Sequence, residues 1–269
     1  MEIFERCCSK AKQIVSFFIY TQTPVALTLD SLKLKRHPFV AVSKSGVKLR
    51  LDPLAGESFT FFENFVRQDY LRNGVALKTG DTVVDIGANI GAFALLAASI
   101  VGPTGRVIAI EPAGRTFARL EENVRLNDFR NLICTRAAID REPGTLALSV
   151  HPKSALSSAH NVNANGDETI EIVLCRTLAQ IFAEYQLQHV DLLKVDCEGS
   201  EYGIFESLSQ ELAAIVRQIA MEVHPVEGMA YDGIRQSLEE LGFVVRQFPG
   251  CPWVAFNNGA GAGDTVANR

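Results

Sequence analysis

A run of strand-forming residues, Thr82-Val-Val-Asp-Ile86, passes without a break into Gly87-Ala-Asn-Ile-Gly91 and then into the apolar stretch 92–101. A buried strand, a glycine turn and a helix in immediate succession form the first half of a βαβ unit, and few folds can begin this way. From residue 78 onward the pattern repeats. Short β-branched runs near 82–86, 106–110, 131–135, 190–196, 217–223, 243–248 and 252–257 alternate with helical stretches near 91–101, 114–127, 177–186, 201–212 and 230–241. The expected fold is α/β and Rossmann-like: a central, mostly parallel seven-stranded sheet with helices on both faces. An extra strand pair is expected at 144–150 and 169–174, joined by the polar loop 159–167, a candidate substrate lid.

Three regions follow from this pattern. Residues 1–56 read as an N-terminal extension with a helix, an irregular link through Pro24 and a hairpin over 39–51. Residues 57–258 are the main domain, entered through a helix over 57–76 that carries Phe61, Phe62, Phe65, Val66 and Leu71. Residues 259–269 are a glycine-rich, flexible tail. The composition, 47% hydrophobic and 21% charged, suits one well-filled globular domain.

The net charge of −5 gives no attraction to a phosphate backbone, so no nucleic-acid partner is expected. No segment approaches the ~20 apolar residues that span a bilayer, and residues 14–20 are too short and interrupted for a secretion signal. This stretch is expected to pack on the domain or across a homodimer rather than on a membrane. Six cysteines without CxxC spacing fit reduced thiols in a cytoplasm better than a disulfide framework.

The turn after the first strand should bind a nucleoside. Gly87 and Gly91 let backbone approach a ligand closely, with Ala88 and Asn89 between them. The spacing is not the GxGxxG that holds a dinucleotide pyrophosphate, and Asp85 places negative charge where a diphosphate would be repelled. S-adenosylmethionine, a cation without phosphate, suits such a turn. Glu111 closes the next strand in Val107-Ile-Ala-Ile-Glu-Pro112, one βαβ step later, where a carboxylate accepts bonds from ribose hydroxyls. Alone, the aspartate would pass for a turn residue and Glu-Pro for a helix start.

The motifs Asp85-Ile-Gly-Ala-Asn-Ile-Gly91, Glu111-Pro112, Asn123 with Asn127, Ala138-Ile-Asp140, Lys194-Val-Asp-Cys-Glu-Gly-Ser-Glu201 and Glu222-Val-His224 resemble the FkbM family of methyltransferases. The resemblance spans residues 57–248, with Cys197 at a position where the family carries an aliphatic residue. It implies a class I methyltransferase fold, S-adenosylmethionine as cofactor, and O-methylation of a hydroxyl on a sugar or secondary metabolite. Carried onto this chain, the cofactor contacts are Asp85, Gly87, Asn89, Gly91, Glu111, Ala138 and Asp196.

The reaction centre is expected in 190–201. Lys194, Asp196 and Glu198 alternate along a strand and so share one face, with Asp196 the expected partner of a lysine too costly to bury alone. In the family fold the next strand would bring Glu222 and His224 beside them. Methyl transfer to a hydroxyl needs a base, and His224 or Glu198 is the candidate, with Glu222 and Asp196 orienting substrate or the cofactor's amino group. No metal is expected, although Asp196, Glu198, Glu222 and His224 also have the ligand chemistry for a divalent ion. Rival readings are an NAD-dependent oxidoreductase, which lacks its glycine motif here, a non-catalytic nucleoside-binding scaffold, and a methyltransferase acting on a peptide or carboxyl group. The acceptor is expected to be a small molecule or glycan.

Overall fold

The computed structural model describes residues 2–150 and 169–259. The polar loop at 159–167 and the tail from 260 onward lie outside them. The chain opens with helices α1 (Glu2–Tyr20) and α2 (Pro24–Ser31), then the antiparallel hairpin β1 (Phe39–Val42) and β2 (Lys48–Leu51). The expected irregular link is thus a helix. Pro24 stands in its first turn, where proline loses no hydrogen bond and its fixed φ favours the helix.

The expected single helix over 57–76 is broken. A short helix α3 (Glu57–Phe61) widens into a π-helix, Phe62–Arg67, and a 3-10 turn, Asp69–Leu71, follows. Gln68 between them adopts φ 53°, which no α-helix allows. The apolar spacing was legible, but the one-residue widening that redirects Glu63 and Asn64 is not a property of spacing.

The main sheet contains β3 (Thr82–Ile86), β4 (Arg106–Ile110) and β5 (Leu132–Thr135), connected by α4 (Ala92–Val101) and α5 (Gly114–Arg125). A separate three-stranded sheet of β6 (Ala138–Ile139), β7 (Gly144–Val150) and β8 (Thr169–Arg176) follows, containing the expected extra pair. Next come α6 (Leu178–Glu184), β9 (Leu192–Val195), α7 (Glu201–Glu206), α8 (Gln210–Ala214), β10 (Gln218–Met221), α9 (Tyr231–Glu240), β11 (Phe243–Arg246) and β12 (Trp253–Asn257). The helix expected over 201–212 divides because the Ser209 side chain caps a new helix at the Leu212 amide.

The seven strands run in the order β11-β12-β10-β9-β3-β4-β5, all parallel except β12. Strand order reverses between β3 and β9, and open α/β sheets bind ligands in the crevice at the carboxyl ends of such a pair. One apolar core joins α4 and one sheet face to Phe17, Leu27, Leu49 and Leu51 of the extension; a second fills the opposite face under α6, α7 and α9. Helix α4 is apolar all round because it is covered on both sides, by the sheet and by the π-helix.

Two polar devices hold these layers. Asn123 and Asn127, one turn apart on and just beyond α5, pair with the free edge of β2. Asn123 accepts from the Arg50 amide at 2.7 Å and donates to the Ile90 carbonyl at 2.9 Å, while Asn127 accepts from and donates to the Lys48 backbone. Asp85 and Lys194 are direct partners across β3 and β9; the ammonium lies 3.0 Å from the Asp85 carboxylate and 3.6 Å from Asp196. The lysine's main partner is therefore Asp85, because the parallel register puts the two side by side.

Asn123→Ala leaves two buried backbone groups unsatisfied and should lower unfolding free energy by about 2 kcal/mol, read by urea titration against an Asn127→Ala variant with a smaller loss. Asp85→Ala strands a buried ammonium and should cost about 3–5 kcal/mol, whereas pairing it with Lys194→Met should recover most of that loss.

Candidate active site

Strand β3 ends in a turn that only glycine can make. Gly87 has φ 74°, and a β-carbon there would lie 1.7 Å from the Asp196 carbonyl oxygen. The turn is pinned by hydrogen bonds from the Gly87 and Ala88 amides to the Ile110 carbonyl and from the Asn89 amide to the Glu111 carboxylate at 3.0 Å. Lys194 donates to the Gly87 carbonyl at 2.8 Å, so the buried ammonium also holds the turn from below.

Above the turn lies a cavity of about 380 Å³ lined by Gly87, Ala88 and Asn89, by Lys194 on β9 and Asp196 and Glu198 beyond it, by Glu222 and His224 beyond β10, and by a roof from α3 and the π-helix. All five expected reaction-centre residues, Lys194, Asp196, Glu198, Glu222 and His224, meet here. Of the expected cofactor contacts, Gly87, Asn89 and Asp196 line the cavity. The others do not. Asp85 is enclosed beneath it against Lys194. Gly91 faces Leu120, where a β-carbon would come within 2.6 Å of that side chain. Glu111 accepts one hydrogen bond on each oxygen, from the Asn89 and Ala113 amides, and Ala138 packs with Ala113 in the small sheet's apolar cluster. These four positions flank the cavity outside its lining.

The roof supplies residues the motifs did not reveal. The Tyr70 hydroxyl donates to Asp196 at 2.8 Å and reaches Glu222 at 3.3 Å. Glu63 and Asn64 enter from the π-helix, and the buried Asn64 Oδ1 accepts no hydrogen bond from the described residues. Their one sequence signal is polar residues set among the phenylalanines of 59–65.

His224 is held by a carboxylate the sequence reading did not assign. Its Nδ1 is 3.0 Å from Glu201, which is fully buried and accepts from the Cys197 and Gly199 amides. Nε2 then faces Glu198 at 3.6 Å and Asp196 at 3.9 Å. Burial alone would pull the imidazole down, but Glu201, Glu198 and Asp196 outweigh it and push its pKa up to about 9. Burial pushes Glu198 up to about 7 against the opposing pull of His224, and Glu63 up to about 7 with help from Asp69. Glu222 is raised by burial and by Asp196. Burial also opposes the Lys194 charge, but Asp85 and Asp196 prevail and keep it an ammonium.

The charge balance defines what fits. Among the described residues, four carboxylates line the cavity, and its two cations, Lys194 and His224, are already engaged by carboxylates. A phosphate would be repelled, whereas a sulfonium with an ammonium group would be welcomed. Asp196, Glu198 and His224 also present one ligand atom each within 4.8 Å of one another, close enough to share a divalent ion.

Comparison with known proteins agrees with this geometry. The family model described as the methyltransferase FkbM domain matches residues 85–245. The chain is 32% identical to the 31-O-demethyl-FK506 methyltransferase FkbM of Streptomyces tacrolimicus, over 71% of this chain and 84% of that protein. It is 26% identical to methyltransferase sdnD of Sordaria araneosa, over 83% and 90%. Among solved structures, methyltransferase FkbM of Methylobacillus flagellatus shares the fold with a TM-score of 0.50 at 13% identity, over 74% of this chain and 53% of that one. A class I sheet order, an acidic cradle at its switch point and these matches have one reading: the chain belongs to the FkbM family of S-adenosylmethionine-dependent methyltransferases.

Proposed function

We propose that this methyltransferase acts on a hydroxyl of a small molecule or glycan, a sugar or secondary metabolite, and that Glu198 takes the acceptor's proton. The observation that carries the reading is the cluster of Asp196, Glu198, Glu222 and His224 under the Tyr70 hydroxyl, beside the Gly87 turn. Bound S-adenosylmethionine supplies an electrophilic methyl group on a cationic sulfur. The protein supplies position and a base, since a neutral alcohol is a poor nucleophile and in-line alignment removes much of the barrier.

A base has to be unprotonated when the acceptor arrives. His224 remains an imidazolium until about pH 9, whereas Glu198 ionises near 7. The two therefore divide the work: Glu201 orients His224, and the imidazolium stabilises the Glu198 carboxylate beside it. Asn64 Oδ1, without a donor among the described residues, is suited to receive an acceptor hydroxyl. A neighbouring cavity of about 270 Å³ shares Glu63, Tyr70 and Glu222 and extends the room for that molecule. The name of the Streptomyces relative, a 31-O-demethyl-FK506 methyltransferase, supports oxygen on a secondary metabolite as the acceptor. The acidic cavity disfavours nucleic acid, and the absence of disulfide spacing among the cysteines supports a cytoplasmic setting.

With a hydroxyl acceptor, kcat/KM should rise as pH passes about 7, because the base must lose its proton first. Glu198→Gln should lower kcat by about 10²–10⁴-fold and abolish that limb. His224→Ala removes the cation that opposes burial at Glu198, so it should shift the limb to higher pH as well as slow turnover. A wild-type limb near 9 that survives in Glu198→Gln would assign the base to His224 instead.

A second reading rests on the spacing of Asp196, Glu198 and His224, which suits a shared divalent ion. Turnover after dialysis against EDTA discriminates the two. Unchanged activity is expected; loss restored by Mg²⁺ or Mn²⁺ would give the cluster to a metal.

A further inference from the structure

The N-terminal extension leaves apolar surface where the rest of the chain buries it. Among the described residues, nine of the sixteen exposed large apolar side chains belong to residues 15–40. They fall in rows. Val15, Phe18 and Ile19 follow i, i+3, i+4 spacing on α1, and Val25, Leu29 and Leu32 follow i, i+4, i+7 spacing along α2 and its cap. The opposite sides of both helices carry Phe17 and Leu27, fully buried in the core. Among the described residues, the helices are thus seated on the domain by one side and unpartnered on the other.

The end of α2 is a fixed structure. Lys33 adopts φ 60°, its amide bonds to the Asp30 carbonyl at 2.7 Å, and the Leu34 amide bonds to the Leu29 carbonyl at 2.8 Å, a Schellman arrangement. A lysine pays a conformational penalty in the left-handed region, and the motif holds Leu32, Lys33 and Leu34 outward, Leu34 at 65% exposure.

Charge here is predominantly positive. Between residues 2 and 48 stand eight lysines and arginines against three carboxylates, Glu2, Glu5 and Asp30, in a chain whose net charge is −5. Asp30 is buried, while Lys12, Lys33, Arg36, Lys44 and Lys48 are exposed.

We propose that α1, α2 and the cap that follows form a docking surface for an anionic phospholipid bilayer, on which the protein lies with its apolar rows in the interface and its basic side chains at the headgroups. An interfacial bilayer takes both apolar rows and positive charge, and its attraction grows with each. A second copy of the chain is the poorer occupant, because a two-fold interface sets the same basic patch against itself. A phosphate backbone would meet the charges but leave the apolar rows uncovered. No helix among the described residues is long and apolar enough to cross a membrane, and the mode proposed is interfacial. The expected packing of this stretch on the domain accounts for the side that carries Phe17 and Leu27.

Flotation of the purified full chain with vesicles tests the proposal. The protein should float with phosphatidylcholine vesicles that contain phosphatidylglycerol, remain behind with phosphatidylcholine alone, and be released as salt is raised. Phe18→Glu with Leu34→Glu should weaken partition at least about tenfold, and so should Lys33→Glu with Arg36→Glu, which touches only exposed residues and guards against a folding defect. Unfolding temperature and S-adenosylhomocysteine binding should stay at wild-type values in both. No flotation with anionic vesicles at low salt, or equal flotation with neutral ones, overturns the proposal. So does a dimer in sedimentation velocity that Phe18→Glu with Leu34→Glu converts to monomer, since the face would then belong to a second copy.

Discussion

The Asp85–Lys194 pair sits where the sheet changes direction, and the site is built outward from it. Two neighbouring strands that part toward opposite connections leave a crevice at their ends. That crevice needs a rigid floor, because the turn beyond β3 and the chain beyond β9 approach so closely that no side chain fits between Gly87 and the Asp196 carbonyl. The lysine spans the gap: its ammonium meets a carboxylate on β3 and donates to the turn's own carbonyl, tying both walls together from inside the core. Burying a charge pair wins little stability in itself. What it confers here is definition, since either charge without the other is costly and the register cannot slip without separating them.

With Lys194 neutralised from below, the carboxylates above it lack a full complement of positive charge. Asp196, Glu198, Glu222 and Glu63 converge on one cavity in which Lys194 and His224 are the only cations among the described residues. Burial raises the pKa values of Glu63, Glu198 and Glu222, and the neighbouring carboxylates raise them further. A cationic cofactor relieves that imbalance, and a carboxylate poised near neutrality is left beside the place where the methyl group must go. The acidity of the site thus serves both recognition and chemistry.

The segment between the extension and β3 completes this site. Tyr70, Glu63 and Asn64 roof the cavity, and the segment bearing them is anchored through Glu57 to Arg119 on α5. The hairpin is held to the same helix by Asn123 and Asn127. One helix therefore fixes both the hairpin and the roof, while α1 and α2 are carried on the outside with one side uncovered.

The order and type of the sheet's elements were legible because the strands are short, largely apolar runs and most connections between them carry a helix. The gathering of Asp196, Glu198, Glu222 and His224 was legible in part, because residues that end adjacent parallel strands must meet at one edge. Roles were harder to read. Asp85 and Glu111 stand at the expected strand ends, Asp85 sealed against Lys194 and Glu111 holding two backbone amides of the turns beside it. Sequence by itself determined which residues reach the carboxyl edge of the sheet, since strand periodicity and length are local properties. Only the tertiary structure decided which of them face the cavity, which lysine partner prevails, that Glu201 orients His224, and that a π-turn brings Tyr70 and Asn64 over the site. Those outcomes depend on register between strands distant in sequence and on a single extra residue in a helical turn, and no local pattern records either.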